Sequence, residues 1–138
     1  MAGRPGGCTS RTSTTHGYGL KTSGVSLTDT LWAFGYPAAG KYHGSDLVYC
    51  NGTLRNDPYG ANTWGMACNM TGGSSGGPWI ADSTNPGATE GKVASLNSYG
   101  YSGLTFMFGP KFTSDTLTVQ QSAINGGNSS VATSRDLP

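Results

Sequence analysis

Apolar residues along this chain come in short runs broken by glycine, proline, asparagine and aspartate. The runs are Thr30 to Tyr36, Asp46 to Asn51, Thr63 to Asn69, Pro78 to Ala81, Lys92 to Tyr99 and Leu104 to Phe108. Each is of strand length, and their spacing predicts an all-β barrel or sandwich. Turn signals stand between them at Tyr36-Pro37, Asn56-Asp57-Pro58, Gly72-Gly73 and Asn85-Pro86-Gly87. One segment has helical spacing instead. Leu117, Gln121 and Ile124 recur on one face, Ser114 is placed to cap, Asp115 suits the first turn, and Gly126-Gly127 stops it. There is no internal repeat.

The two ends differ from the middle. Residues 1–16 are Gly, Arg, Ser and Thr rich, and residues 125–138 are Gly, Asn, Ser and Thr rich. Both are too polar to pack and are expected to be disordered. The patterned domain is expected over residues 17–124. No apolar core of a signal peptide precedes it. No run approaches the roughly 18 apolar residues of a membrane span. With a net charge of +1 and 11 % charged residues, there is no basic cluster to meet nucleic acid.

Composition adds a puzzle. Leu, Ile, Val and Phe total 20 of 138 residues, while Gly, Ser and Thr total 56. That is little apolar stock for a self-sufficient core. Of the three cysteines, Cys50 and Cys68 lie in the aromatic-rich middle and Cys8 in the polar leader. A Cys50–Cys68 disulfide is expected, which implies an exported protein; two reduced buried thiols are the alternative. The absent signal peptide sits badly with export and suggests an incomplete chain. No CxxC or HxxxH spacing offers a zinc site, and no metal or organic cofactor is expected.

The chemistry lies in Cys68-Asn69-Met70-Thr71-Gly72-Gly73-Ser74-Ser75-Gly76-Gly77-Pro78-Trp79. Acyl transfer to a serine needs a hydroxyl standing clear of its backbone on a tight turn. It also needs N–H groups aimed where the carbonyl oxygen turns negative. Glycines on both sides of the serine allow both. The segment resembles the trypsin/chymotrypsin-like serine peptidases, whose motif is Gly-Asp-Ser-Gly-Gly-Pro. Five of the six positions of Gly73 to Pro78 match.

The resemblance implies Ser75 as nucleophile, with the N–H groups of Gly73 and Ser75 as oxyanion hole. Ser74 replaces the aspartate that receives a new N-terminus in animal zymogens, so that switch is absent. A small polar residue there is similar to the bacterial and fungal glutamyl-endopeptidase-like branch. So are Trp32 to Pro37 and Leu47 to Gly52. Asn97-Ser98-Tyr99-Gly100 resembles the Ser-Trp-Gly strand that walls the specificity pocket, though a register on Ser95 and Leu96 also fits. Asn69, six before Ser75, takes the pocket-base position; being neutral, it does not support cleavage after Lys or Arg. The implied substrate is a polypeptide added as a strand along Ser98, Tyr99 and Gly100.

The match over 17–124 corresponds to the second antiparallel β-barrel of a chymotrypsin-like double barrel, with its short C-terminal helix. In that family the base and its orienting acid come from the first barrel. His16 lies in the polar leader and reads as solvated. His43 and Asp46 give the order His, Asp, Ser, but in a hairpin turn where the family places neither. Asp29 reads as a strand-end residue. The expectation is therefore a nucleophile-bearing half of a secreted serine endopeptidase, nearly inactive alone, with a missing N-terminal barrel as partner. The alternatives are a non-catalytic homologue that binds protein or carbohydrate, and an unrelated Gly/Ser-rich β module.

Overall fold

A computed structural model describes residues 18–84 and 90–126. The leader with Cys8 and His16, the Asn85-Pro86-Gly87 turn and nearly all of the polar tail lie outside the described residues. Eight strands and one helix follow in order. They are β1 (Gly19–Leu20), β2 (Thr30–Gly35), β3 (Val48–Thr53), β4 (Arg55–Asn56), β5 (Thr63–Ala67), β6 (Pro78–Ala81), β7 (Lys92–Leu96), β8 (Phe106–Pro110) and α1 (Ser114–Ile124).

The strands form a five-stranded sheet in the order β1-β7-β6-β2-β3 and a three-stranded sheet in the order β4-β5-β8. All neighbours are antiparallel except β1, which runs parallel to β7. The all-β class with a C-terminal helix is as expected. The hydrogen-bonded ladders do not close into one cylinder; the two sheets pack instead.

Several boundaries moved for local reasons. The second run begins at Val48, because the ladder pairs Val48 to Thr53 with Gly35 to Thr30. Asp46 stays in the preceding turn. β7 ends at Leu96 because Asn97 turns its backbone onto the serine loop. Only one bridge continues, Tyr99 to Phe108. β8 starts two residues late because Leu104 closes a turn onto Tyr101. Two-residue strands such as β1 and β4 carry no periodicity to read. The helix cap is Thr113, not Ser114. Its hydroxyl accepts from Asp115 N, and Thr116 reciprocates on the Thr113 N–H. No helix residue is buried, and Leu117 and Ile124 face solvent. The apolar spacing there does not mark a core face.

The composition puzzle resolves in the core. Leu31 and Ala33 of β2 point inward with Met66, Met70, Met107, Trp79, Ala81 and Ala94, and Phe108 is fully buried. Met66 and Met107 lie directly opposite each other across β5 and β8. Methionine fills irregular space well, and one Trp and one Phe supply area that few aliphatics could. The Cys50–Cys68 disulfide is formed, with Cα atoms 5.4 Å apart. It ties the edge strand of the larger sheet to the segment leaving β5 of the smaller.

Strand β2 alternates strictly, so Trp32 and Phe34 lie on the outer face. Both rings pack on Tyr49 of β3, at 5.5 and 6.2 Å between centroids. Tyr36, Leu47 and Tyr49 are each about half exposed. An aromatic band therefore lies open on that side.

Candidate active site

The serine loop leaves β5 through Cys68 and is built of two consecutive turns. In the first, Ser74 N donates to Thr71 O at 3.3 Å, and Ser74 Oγ donates to the same oxygen at 2.8 Å. In the second, Gly77 N donates to Ser74 O at 3.1 Å. Gly73 and Gly76 sit at φ +100° and +84°, a region costly to residues with a Cβ. At Gly77 the constraint is space: a Cβ would enter the Phe34 carbonyl oxygen and come within 2.6 Å of Asn97 Nδ2.

The loop is held from two sides. The hairpin after β2 lies against it, with Ala38 N donating to Gly72 O at 2.8 Å. Thr71 Oγ1 accepts from Ala39 N at 3.1 Å and donates to Ala39 O at 2.8 Å. On the other side stands Asn97, 2 % exposed. Its backbone accepts from Gly76 N and donates to Gly77 O. Its side chain reaches Phe34, Ser74 and Trp79.

The result is a serine pair with opposite fates. Ser74 is buried and structural. Ser75 is exposed, and its hydroxyl has no hydrogen-bond partner among the described residues. The N–H groups of Gly73 and Ser75 likewise donate to no acceptor among the described residues, while Ser74, Gly76 and Gly77 on either side all do. Ser75 stands on the rim of a cleft of about 400 Å³.

That cleft brings the expected residues together. Asn69, Ser75, Ser98, Tyr99 and Gly100 all line it, with Met70, Leu104, Phe106 and Met107 as apolar wall. Gly73 lies behind Ser75 in the loop and does not line it. Asn69 is neutral and accepts from Tyr42 OH at 2.8 Å. Ser95 is fully buried and donates to Pro110 O, and Leu96 pairs with Pro78, so the register on Ser98 is the one facing the cleft. Tyr99 pairs both ways with Phe108, whereas the carbonyls of Ser98 and Gly100 and the Gly100 N–H have no partner among the described residues. That edge is open to an added strand.

No Asp, Glu, Lys, Arg or His lines the cleft among the described residues. His43 and Asp46 are exposed on the hairpin and do not reach it. Asp29 closes a turn on Ser26, accepting from Ser26 N and Oγ. Among the described residues no group of three or more His, Cys, Asp or Glu could hold a metal.

One buried acid supports the cleft from outside and escaped the sequence reading. Asp57 accepts from Tyr99 OH and Tyr101 OH, both at 2.6 Å, and from Tyr59 N at 2.6 Å. Burial alone would raise its pKa. The hydrogen bonds from Tyr101, Tyr99 and the backbone of Tyr59 and Ala61 outweigh it and hold the carboxyl below its ordinary 3.8. Its hydrogen bond to Asp57 and burial push Tyr101 up; burial and a separate hydrogen bond to Asp57 raise Tyr99. The Asn56-Asp57-Pro58 turn marked the place but not the role. Asn97 was equally visible only as part of a strand motif.

An exposed serine on a double turn, beside an open-edged strand in an all-β frame, is an arrangement found in the chymotrypsin-like serine proteases. Comparison with solved structures agrees. The chain is similar to a thermostable serine protease, AL20, from an extremophilic microorganism, at 41 % identity and a TM-score of 0.65, covering 79 % of this chain and 48 % of that one. It is similar to the protease Anisep from Arthrobacter nicotinovorans at 38 % identity and a TM-score of 0.66, covering 83 % and 49 %. The chain spans about half the length of each. These likenesses support the trypsin/chymotrypsin-like serine protease family. No protein-family model matches the sequence, and no curated protein matches it.

Proposed function

We propose that the chain is the nucleophile-bearing part of a serine endopeptidase. The observation that carries this is Ser75: exposed, on the rim of a formed cleft, its hydroxyl and the Gly73 and Ser75 N–H groups without a partner among the described residues. In the proposed reaction Ser75 Oγ attacks a peptide carbonyl, giving an acyl-enzyme and a free amine, and water then releases the acid. The substrate pairs along Ser98 to Gly100, and one side chain enters the cleft toward Asn69.

Attack needs a base, and no described residue near Ser75 can serve. The histidine and its orienting acid come in this reading from a first barrel outside the described residues. The aromatic band of Trp32, Phe34 and Tyr49 supplies an apolar face for it. We place the chain in the glutamyl-endopeptidase-like branch on Ser74, Trp32 to Pro37 and Leu47 to Gly52. A preference for glutamate is not part of the proposal, because no cationic side chain among the described residues lines the cleft. The Cys50–Cys68 disulfide supports export of the intact protein.

The test is hydrolysis of casein and of a mixed peptide library by the purified chain. Turnover is expected roughly 10⁶-fold below an intact enzyme, the cost of losing the triad. Ordinary rates that vanish in Ser75→Ala would mean the base lies within this chain. Ordinary rates that survive Ser75→Ala would remove Ser75 as nucleophile.

A further inference from the structure

We infer that Asn97 is a positioning residue that aims one of the two oxyanion-hole donors; the inference rests on Ser75 being the nucleophile. Ser74 O and Ser75 N–H belong to one peptide unit. No cis peptide occurs among the described residues, and in a planar trans unit the N–H points opposite to the C=O. Whatever fixes the direction of Ser74 O therefore fixes the direction of Ser75 N–H.

Asn97 fixes it from behind the loop. Its Nδ2 donates to Ser74 O at 3.0 Å and to Phe34 O at 2.8 Å. Its Oδ1 accepts from Trp79 Nε1 at 2.7 Å. The indole can only donate, so the amide cannot be turned over: oxygen faces Trp79 and nitrogen faces the two carbonyls. Three partners on β2, β6 and the loop leave the side chain no freedom. Gly77 N, donating to Ser74 O at 3.1 Å, completes the clamp. With Ser74 O held inward, Ser75 N–H is turned outward, away from the Asn97 side, and it has no partner among the described residues. A donor already aimed needs no reorganisation when charge develops.

A peptide boronic acid tests this without a catalytic base. At mildly alkaline pH, Ser75 Oγ forms a bond to the empty boron orbital and its proton passes to buffer hydroxide. Boron becomes a tetrahedral anion, and nothing is oxidised or reduced. Binding is followed by boron NMR, and ground-state binding of the matching peptide amide by shifts at Ser98 to Gly100. For Asn97→Ala the boronate is expected to bind roughly 10- to 100-fold more weakly, below the ~10²–10³ of a whole donor lost. The peptide amide should bind almost as before. Leu54→Ala, a core variant that neither lines the cleft nor touches Asn97, should change boronate binding by no more than about threefold.

Equal losses for boronate and amide, no loss at all, or the same loss in Leu54→Ala would overturn the inference. If the wild-type chain binds the amide but never forms the tetrahedral adduct, the nucleophile reading falls and this inference with it. Should Asn97→Ala not fold, the wild-type chain decides. Scalar couplings across the hydrogen bonds from Asn97 Nδ2 to the Ser74 and Phe34 carbonyl carbons are expected, with a downfield shift of the Ser75 amide proton on boronate addition. Absence of either overturns the assignment.

Discussion

Reduction of the Cys50–Cys68 bond should cost this fold about a third of an ordinary domain's stability. The bond closes a loop with a sequence separation of 18. The chain-entropy relation for such a loop gives roughly 3 kcal/mol, about a 150-fold shift in the unfolding equilibrium. Typical domains hold only about 5–15 kcal/mol. The two cysteines also join the edge of one sheet to the strand end of the other, and Cys68 lines the Ser75 cleft. Loss of the bond should therefore loosen the site as well as the fold. Urea unfolding followed by tryptophan fluorescence, with and without reductant, reads the first effect. The Cys50→Ala/Cys68→Ala double variant should match the reduced chain. A stability change below about 1 kcal/mol in both would refute the reasoning, because it would mean the two sheets are already held by packing alone.

Two more consequences follow from the geometry. Gly77→Ala drives a methyl into the Phe34 carbonyl and the Asn97 amide, so it should cost about 1–3 kcal/mol or more; Gly72→Ala, with nothing within 4 Å of its Cβ, should be near neutral in the same unfolding assay. Asp57 has its pKa lowered by folding, so its contribution is complete above 3.8 and is lost as pH falls through the lower folded value. Tyr99 and Tyr101 have theirs raised, so their contribution is complete below 10.0 and is lost as pH rises beyond it. Unfolding midpoints measured from acid to alkaline pH should fall at both ends, and Asp57→Asn should flatten both limbs.

The strands were legible where their residues alternate over five or more positions. β2 shows this best: Leu31, Ala33 and Gly35 face inward, and Trp32 and Phe34 outward. The serine loop was legible because glycine and proline mark turns whatever surrounds them. Asn97 and Asp57 were not, because their roles depend on partners 18 to 63 and 42 to 44 positions away. No local pattern encodes such a partner. The helix was legible over Ser114–Ile124, but the exposure of Leu117 and Ile124 among the described residues was not, because spacing alone does not say what covers a face. Aliphatics are scarce, and among the described residues methionine and tryptophan fill much of the core in their place.

The most direct test of the account is the site of phosphonylation by a fluorophosphonate at alkaline pH, mapped by mass spectrometry on the whole chain. The serine oxygen bonds to phosphorus and fluoride leaves. Among 16 serines, Ser75 should be modified first, with buried Ser74 untouched and the modification absent in Ser75→Ala and in unfolded chain. Modification at another serine ahead of Ser75, or equal modification of Ser75 in the folded and the unfolded chain, would contradict the central claim that this loop presents a nucleophile.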